Sequence, residues 1–157
     1  MRKYPKRPVP SVGGIIFNPE GSVLLIRRKK PPEKGKWSIP GGVIRRGENL
    51  HEALEREVFE ECMLNVKVGP LLSACSRIIK TKKGRILYHF VILDYLCRYR
   101  GGRPKARSDA SDVRWIKVNE IDKYPCTEGI NDVIAKAWEK NNRSCQSTTS
   151  YGEKNEF

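Results

Sequence analysis

Short apolar runs separated by turn-forming residues open the chain. The runs Val9–Phe17 and Ser22–Arg28 have the length and β-branched content of strands, and the segment Asn18–Gly21 between them favours a turn. These three segments therefore predict a β-hairpin. A charged loop that is rich in proline and glycine follows over Lys29–Lys36.

The hydrophobic period then changes from that of a strand to that of a helix. After an extended segment, Trp37–Pro40, and the pair Gly41–Gly42, apolar residues recur at helical spacing over Leu50–Met63. Asn49 is a good N-cap for this helix, and Glu52 three residues later completes a near capping box. The sequence therefore defines the start of the helix well.

The second half of the chain contains two long apolar runs, Val66–Ile79 and Arg85–Tyr99, which the polar turn Lys80–Gly84 joins as a second hairpin. The remaining predicted elements are a basic loop, a strand and an amphipathic helix, over Gly101–Ser111, Val113–Val118 and Glu128–Lys140. Strands dominate, hairpins link most of them, and two helices are available to cover the sheet. The pattern predicts the α/β class, as a sandwich with a mixed, curved β-sheet.

Length and composition fit one folded domain. We expect residues 1–141 of the 157 to form this domain, and the polar, aperiodic residues 142–157 to be a flexible tail. No apolar run approaches the roughly 20 residues that are needed to span a bilayer. Five scattered cysteines without a CxxC pair argue against disulfides and a zinc site, so the expected location is the reducing cytoplasm.

The formal net charge of +13 is large for a chain of this size. It is compatible with nucleic acid, an anionic membrane surface, a phosphate-bearing small molecule or simply a solvated basic surface. The basic residues are spread along the chain, and no RNA-binding motif with interleaved aromatic residues is present. We therefore expect no membrane partner and disfavour nucleic acid, and the choice among the rest depends on the motifs.

Three glutamates on the predicted helix, Glu57, Glu60 and Glu61, are spaced i, i+3 and i+4. They fall within an arc of roughly 100° on one face, where bare carboxylates repel one another. A hard divalent cation such as Mg²⁺ or Mn²⁺ would offset this repulsion, because these ions prefer carboxylate oxygens. The alternative is a solvated acidic face that nearby lysines and arginines neutralise. An apolar stripe beside the arc and a glycine-rich turn just upstream favour the cation.

The stretch GVIRRGENLHEALEREVFEECML resembles the signature of the Nudix hydrolase family, G-x5-E-x7-R-E-U-x-E-E-x-G-U, in which U is a bulky aliphatic residue. The matching positions are Gly42, Glu48, Arg56, Glu57, Val58, Glu60, Glu61 and Leu64. The runs LLIRR, GKWSIPGG and RWIKV are similar to the family as well, so the resemblance covers about Pro8 to Asn141. It implies a Nudix-type α/β/α sandwich that hydrolyses a pyrophosphate bond in a nucleoside diphosphate linked to another group.

One signature position departs from the family pattern, because Met63 stands where the family has its second glycine. That glycine lies at the helix end, where a left-handed residue is often needed, and a methionine in that conformation costs about 1–2 kcal/mol. We therefore expect the helix to run slightly longer and Asn65, which tolerates the left-handed region, to make the turn.

The resemblance also implies a role for each matching residue. The expected cofactor is Mg²⁺, with Mn²⁺ as the alternative, and the implied ligands are Glu57, Glu60, Glu61 and the backbone carbonyl of Gly41. Glu60 would bind a second ion or activate water, and Arg56 would orient the carboxylates with Glu48 as its partner. Arg56 and the three glutamates are thus the expected catalytic residues. Asp109 and Asp112, in the loop before RWIKV, are expected either to add a base or metal ligand or only to form a turn.

Four residues are candidates for binding the substrate, namely Arg27, Arg28, Lys36 and Trp37. The basic side chains could bind phosphates, and Trp37 could stack on a base, although a core position for the tryptophan is equally compatible with the pattern. Strand alternation places only one of Arg27 and Arg28 on the side of the site.

The resemblance suggests ADP-ribose as the first substrate, cleaved to AMP and ribose 5-phosphate. The rival within the same reaction class is a nucleoside triphosphate pyrophosphohydrolase that removes oxidised nucleotides. From a different class, a non-catalytic nucleotide-binding regulator on the same fold would account for the net charge and for Met63. Relatives are often dimers, so a homodimer is expected on the resemblance alone.

Overall fold

The computed structural model describes residues 3–149, and it describes side chains up to residue 144. Within this range the strands are β1 (Val9–Phe17), β2 (Ser22–Arg28), β3 (Trp37–Ser38), β4 (Gly41–Val43), β5 (Asn65–Lys80), β6 (Ile86–Gly101) and β7 (Ala110–Lys117). The helices are α1 (Leu50–Cys62) and α2 (Ile130–Thr149), and a short 3₁₀ helix covers Val118–Lys123.

The strands form one mixed sheet. Both predicted hairpins are present as the antiparallel pairs β1–β2 and β5–β6, whereas β1 and β6 run parallel along the whole of β1. β1 and β2 pair only next to their turn, with Phe17 opposite Val23, and they diverge from there. β4 pairs with the start of β1 at Ser11–Gly13. The divergence of the first hairpin therefore admits the glycines of β4 into the sheet.

α1 and α2 cover opposite faces of the sheet, which confirms the predicted α/β/α sandwich. On one face the core includes Leu54 and Val58 of α1, both fully buried. On the other face it includes Ile134 and Ala137 of α2, which are at most 1% exposed. Burial of each large aliphatic side chain stabilises the fold by roughly 1.5–3 kcal/mol, so these contacts hold both helices against the sheet.

The start of α1 agrees with the sequence. The side chain of Asn49 accepts the backbone N–H of Glu52 at 2.9 Å, and the carboxylate of Glu52 accepts the N–H of Asn49 at 3.1 Å. This reciprocal pair is a complete capping box, which satisfies two donors that the first turn of a helix leaves free.

The predicted end of α1 is wrong. The helix stops immediately before Met63, which itself adopts the left-handed conformation (φ 60°, ψ 27°) and donates its N–H to the carbonyl of Phe59 at 2.9 Å. Asn65 is already the first residue of β5. Leu64 between them is fully buried, so the chain has to turn before it. A guanidinium N–H of Arg107 also reaches the Met63 sulfur at 3.2 Å, a contact that the sequence does not reveal.

α2 is longer than the predicted Glu128–Lys140, since it continues to Thr149. The first part of the predicted tail is therefore helical, and residues 150–157 lie outside the described residues. The division into a domain and a flexible tail stays a prediction. Over residues 3–149, no helix combines the length and the apolar character that a membrane crossing requires.

Candidate active site

The glutamates of α1 meet the glycine pair of β4. Glu61 is only 4% exposed, and its Oε2 accepts the backbone N–H of Gly41 at 3.0 Å. The carboxyl group of Glu57 fills the space beside Gly42, where an added Cβ would lie 2.6 Å from its carboxyl carbon. Helix and strand therefore approach so closely at this point that the absence of a side chain on Gly42 is what leaves room for the carboxylate.

Arg56 connects the glutamates to the loop before α1. Its Nε and Nη2 donate to the two carboxylate oxygens of Glu48 at 2.5 and 2.9 Å, so the predicted pairing of these residues is present. Its Nη1 donates to Glu57 at 2.6 Å and to Glu60 at 3.2 Å, and Nη2 also donates to the carbonyl of Val43 at 3.1 Å. A planar guanidinium can contact all of these acceptors at once, which a lysine cannot.

Glu60 is the most exposed of the three acids, with 36% of its side chain accessible. Its carboxylate faces Arg45 of the preceding loop at 3.2 Å as well as Arg56. The contact of Arg45 is not predicted from the sequence, because its loop has no periodicity that would indicate which way the side chain points. Glu60 thus sits at the rim of the site, while the other two glutamates lie inside it.

Burial separates the protonation behaviour of these acids. Burial raises the pKa of Glu61 to about 8, and the neighbouring charge of Glu57 adds to this rise. Burial likewise raises the pKa of Glu57, although Arg56 opposes the shift. By contrast, the hydrogen bonds from Arg56 lower the pKa of Glu48 to about 2. A buried and a partly buried acid that lie next to each other and both have raised pKa values form an environment that a cation would stabilise.

Asp109 and Asp112 have different surroundings. Asp109 forms an exposed ion pair with Lys30 at 2.6 Å, and its charge contributes to the raised pKa of Glu61. Asp112 is engaged by Arg114 of its own strand at 2.9 Å. Asp109 is therefore the one of the two that the fold places near the glutamates.

A cavity of about 550 Å³ lies beside β4 on the α2 face of the sheet. Of the four predicted substrate-binding residues, only Arg28 lines it, half-buried and with Nε donating to the carbonyl of Pro32 at 2.8 Å. Arg27 is exposed and donates to the carbonyl of Gly35 instead. Of the two neighbouring arginines on this strand, Arg28 is thus the one that faces the cavity.

Lys36 and Trp37 do not line the cavity. Lys36 is exposed and pairs with Glu33 at 3.1 Å. Trp37 is 5% exposed and packs edge-to-face on Tyr124, with 5.5 Å between ring centroids. The tryptophan therefore occupies the core position that its sequence context also allowed.

Asp94, the buried acid among those that line this cavity, is not predicted from the sequence. It lies on β6, is 8% exposed and lines the cavity, and burial raises its pKa to about 6. The hydroxyl of Thr127 donates to that of Ser38 at 3.2 Å on the same lining. A signal was available, because Asp94 interrupts the apolar run YHFVILDYL on the strand face that it shares with Phe90 and Ile92.

The donor chemistry fits a hard divalent cation. Over residues 3–144, no three acidic, histidine or cysteine side chains converge on one point, and Glu60 is instead engaged by arginines. Glu57, which is partly buried, and Glu61, which is buried, lie one helical turn apart in the space that the glycine pair leaves. They offer the carboxylate oxygens that Mg²⁺ and Mn²⁺ prefer.

A mixed sheet covered by helices on both faces, with an acidic helix against a glycine pair, defines an α/β/α class of fold. The NUDIX domain family matches residues 7–137, so the chain belongs to the Nudix family. The MutT protein from Methanosarcina mazei Go1 has the same fold, with a TM-score of 0.72, 21% identity and coverage of 87% of this chain and 98% of that one.

Two curated relatives add information about substrates. An ADP-ribose pyrophosphatase from Methanocaldococcus jannaschii is 36% identical over 116 residues, which cover 74% of this chain and 66% of that protein, slightly under two thirds of its length. A putative 8-oxo-dGTP diphosphatase 2 from Mycobacterium tuberculosis is 31% identical over 115 residues, covering 69% of this chain and 75% of that protein.

Proposed function

We propose that this protein hydrolyses a pyrophosphate bond in a nucleoside diphosphate linked to another group, with Mg²⁺ or Mn²⁺ as its cofactor. The observation that carries the proposal is the pair of carboxylates Glu57, which is partly buried, and Glu61, which is buried, set against Gly41 and Gly42, two glycines that line the cavity. Backbone without side chains at this point lets a charged diphosphate approach the acids closely.

Divalent cations held here would neutralise the diphosphate and bring the pKa of a bound water towards neutrality. Glu57 and Glu61 would be their main protein ligands, together with the carbonyl of Gly41. Glu60, at the rim and partly exposed, would bind a second ion or orient the attacking water. Arg56 would keep Glu57 ionised and in position, since it holds that carboxylate and Glu48 simultaneously.

Arg28 is proposed to bind the phosphates. Its guanidinium is half-buried, lines the cavity and interacts electrostatically with Glu61. A partly desolvated arginine between the acids and the cavity is well placed for bidentate recognition of phosphate oxygens. Lys36, Arg27 and Trp37 take no part in this proposal, because the structure points them elsewhere.

ADP-ribose is the first candidate substrate, to be cleaved to AMP and ribose 5-phosphate. It is supported by the M. jannaschii relative, which is named for this activity. An oxidised nucleoside triphosphate is the second candidate, supported by the M. tuberculosis relative. The acids of the signature are all present, which disfavours a non-catalytic regulator. A cytoplasmic location and a homodimer remain expectations.

Product analysis tests the proposal and separates the two candidates. Wild-type protein would be incubated with ADP-ribose and, separately, with 8-oxo-dGTP, each with Mg²⁺ and again after chelation. We expect AMP and ribose 5-phosphate from the first substrate, and no products once the metal is chelated. Pyrophosphate released only from 8-oxo-dGTP would favour the second candidate. Cleavage of neither substrate, or equal cleavage after chelation, would contradict the proposal.

A further inference from the structure

We propose that Asp94 accepts a hydrogen bond from the exocyclic amino group of a purine base, and that the cavity it lines is the base-binding site. This inference rests on the proposed function for the identity of the ligand as a nucleotide. It adds the part of the nucleotide that is recognised and the residue that recognises it.

The carboxyl group of Asp94 has no partner in the part of the chain that the structure describes. Among residues 3–144, no hydrogen bond or ion pair reaches it, although the residue is only 8% exposed. Its Oδ1 lies in the space above Gly13, where an added Cβ would come within 2.3 Å of it. The backbone of β1 thus makes room for an acid that the protein itself does not satisfy. No fully buried side-chain oxygen or nitrogen of the described residues lacks a partner, so the unpaired carboxyl of Asp94 is accessible from the cavity that it lines, where a ligand can supply the missing partner.

The arginines of the cavity do not supply the missing partner. Arg28 donates to the carbonyl of Pro32, and Arg77 forms an ion pair with Glu33. An ionised carboxylate can only accept hydrogen bonds, so the ligand must bring N–H or O–H donors. The cavity therefore lacks a donor at the place where Asp94 accepts.

The remaining lining suits a flat ring that carries such donors. Ile39, Phe90 and Ile92 give the cavity apolar walls near Asp94. Apolar and aromatic walls with a few polar groups that fix orientation are the usual composition of a site for a small ring-shaped ligand. A purine has a flat apolar surface, and its amino group at the edge provides the N–H donor.

Asp94 also lies at a suitable separation from the glutamates. In the sheet, Gly13 pairs with Asp94 on one side and with Gly41 on the other. Two strand spacings separate the outer residues by roughly 10 Å. Gly41 in turn holds Glu61. A nucleoside with its phosphates at the glutamates would therefore extend its base towards Asp94.

Adenine and guanine both carry an exocyclic amino group, at different ring positions, and two ligand pairs distinguish them. GMP and IMP differ only in the 2-amino group, and AMP and purine riboside 5′-monophosphate differ only in the 6-amino group. Affinities would be measured by calorimetry with metal chelated, so that the readout does not depend on hydrolysis. In at least one pair, we expect wild-type protein to bind the amino-bearing nucleotide at least about tenfold more tightly.

Substitutions assign this preference to Asp94. Asp94→Leu, which has a similar size and no acceptor, should reduce the affinity ratio to about one, and Asp94→Asn should give an intermediate ratio. Asp132→Asn is the matched control, because Asp132 is an exposed acid on the same cavity, and its ratio should equal that of the wild type. Circular dichroism would establish that the variants are folded.

The outcomes separate this inference from the proposed function. Equal affinities within both pairs, an unchanged ratio in folded Asp94→Leu, or no binding of any of the four nucleotides would overturn the role of Asp94. An amino-group preference that depends on Asp94, in a protein that cleaves no nucleotide, would uphold the base site while contradicting the hydrolase proposal.

Discussion

The two faces of the sheet differ in whether the protein supplies partners for the acidic side chains that they carry. On the α1 face the chain supplies the partners, since Arg56 holds Glu57 and the N–H of Gly41 holds Glu61. On the α2 face Asp94, which is 8% exposed, has no partner among the described residues. The acids on the α1 face are therefore held in place without a ligand, whereas Asp94 on the α2 face gains its partner only when a ligand binds. We therefore interpret the paired glutamates as groups that the protein must hold in position, and the unpaired Asp94 as a group that recognises a ligand.

The largest effect on activity is expected from replacing one acid on the α1 face of the sheet. Glu61→Gln should reduce kcat by about 10³-fold, because catalysis by a bound cation contributes several kcal/mol and 1.36 kcal/mol is tenfold in rate. Thermal stability should be unchanged or higher, since glutamine still accepts the N–H of Gly41 and buries no charge. Steady-state kinetics and a melting curve check both statements. Glu55→Gln on the same helix is the control, and equal losses in the two variants would contradict the assignment.

Substitution of Arg56, the arginine that connects the acids on the α1 face, should have the next largest effect on activity. Arg56→Lys keeps the charge but cannot contact Glu48, Glu57 and Glu60 together, so kcat should fall about 10–100-fold. Stability should fall by about 1–3 kcal/mol, measured by urea unfolding, because these carboxylates would be left partly unpaired. Arg46→Lys, at an exposed neighbouring arginine, should change neither quantity. Full activity in Arg56→Lys would show that the network is not needed for positioning.

The unpartnered acid should make stability depend on pH in the free protein. Burial raises the pKa of Asp94 from 3.8 to about 6, so the neutral form favours folding. Its stabilising contribution is fully present below pH 4 and is lost as the pH rises through 6, by about 3 kcal/mol at most. Asp94→Asn lacks this loss, so its advantage over the wild type should grow between pH 4 and 7. Urea unfolding across this range provides the measurement.

The comparison of the two proteins removes the other titrations of the cavity. Wild type and variant share the remaining titratable groups on its lining, which are Arg28, Cys75, Arg77, Glu128, Asp132 and Lys136. A stability difference that stays constant from pH 4 to 7 would show that Asp94 is not buried as a charged group. Asp132→Asn should give such a constant difference, because that side chain is exposed.

The smallest effect concerns the end of α1, where the chain turns to bring Leu64 into the core. Met63→Gly should raise the free energy of unfolding by about 1 kcal/mol, because glycine adopts the left-handed conformation without strain. Activity should be unaffected. Asn65→Gly should give no gain, since Asn65 begins a strand. A loss of stability in Met63→Gly would mean that the contact of its sulfur with Arg107 outweighs the strain.

The sequence predicts the site on the α1 face of the sheet far better than the cavity on the α2 face. Spacing alone placed Glu57 and Glu61 on one helical surface, and Asn49 with Glu52 defined where that helix begins. Hairpins were readable because their turns are local, whereas the parallel pairing of β1 with β6 joins residues that are distant in sequence. The turn at Met63 could not be foreseen, because it depends on the burial of Leu64.

The cavity on the α2 face is not predicted from the sequence, because the fold alone brings its polar residues together. Asp94, Gly13 and Ser38 lie far apart in sequence, and no spacing rule connects them. Only the interruption of an apolar strand by a charge could have indicated Asp94, and such an interruption does not say what it faces. Likewise, strand alternation could not choose between Arg27 and Arg28, since the register of β2 against β7 shifts between them.

Binding of Mn²⁺, followed by electron paramagnetic resonance, tests most directly whether Glu57 and Glu61 hold a cation together. With a non-hydrolysable ADP-ribose analogue present, wild-type protein should bind Mn²⁺, and Glu57→Gln and Glu61→Gln should each weaken that binding at least about tenfold. Glu55→Gln should bind it as the wild type does. Equal Mn²⁺ affinity in the wild type and in all three variants would contradict the assignment of the metal site.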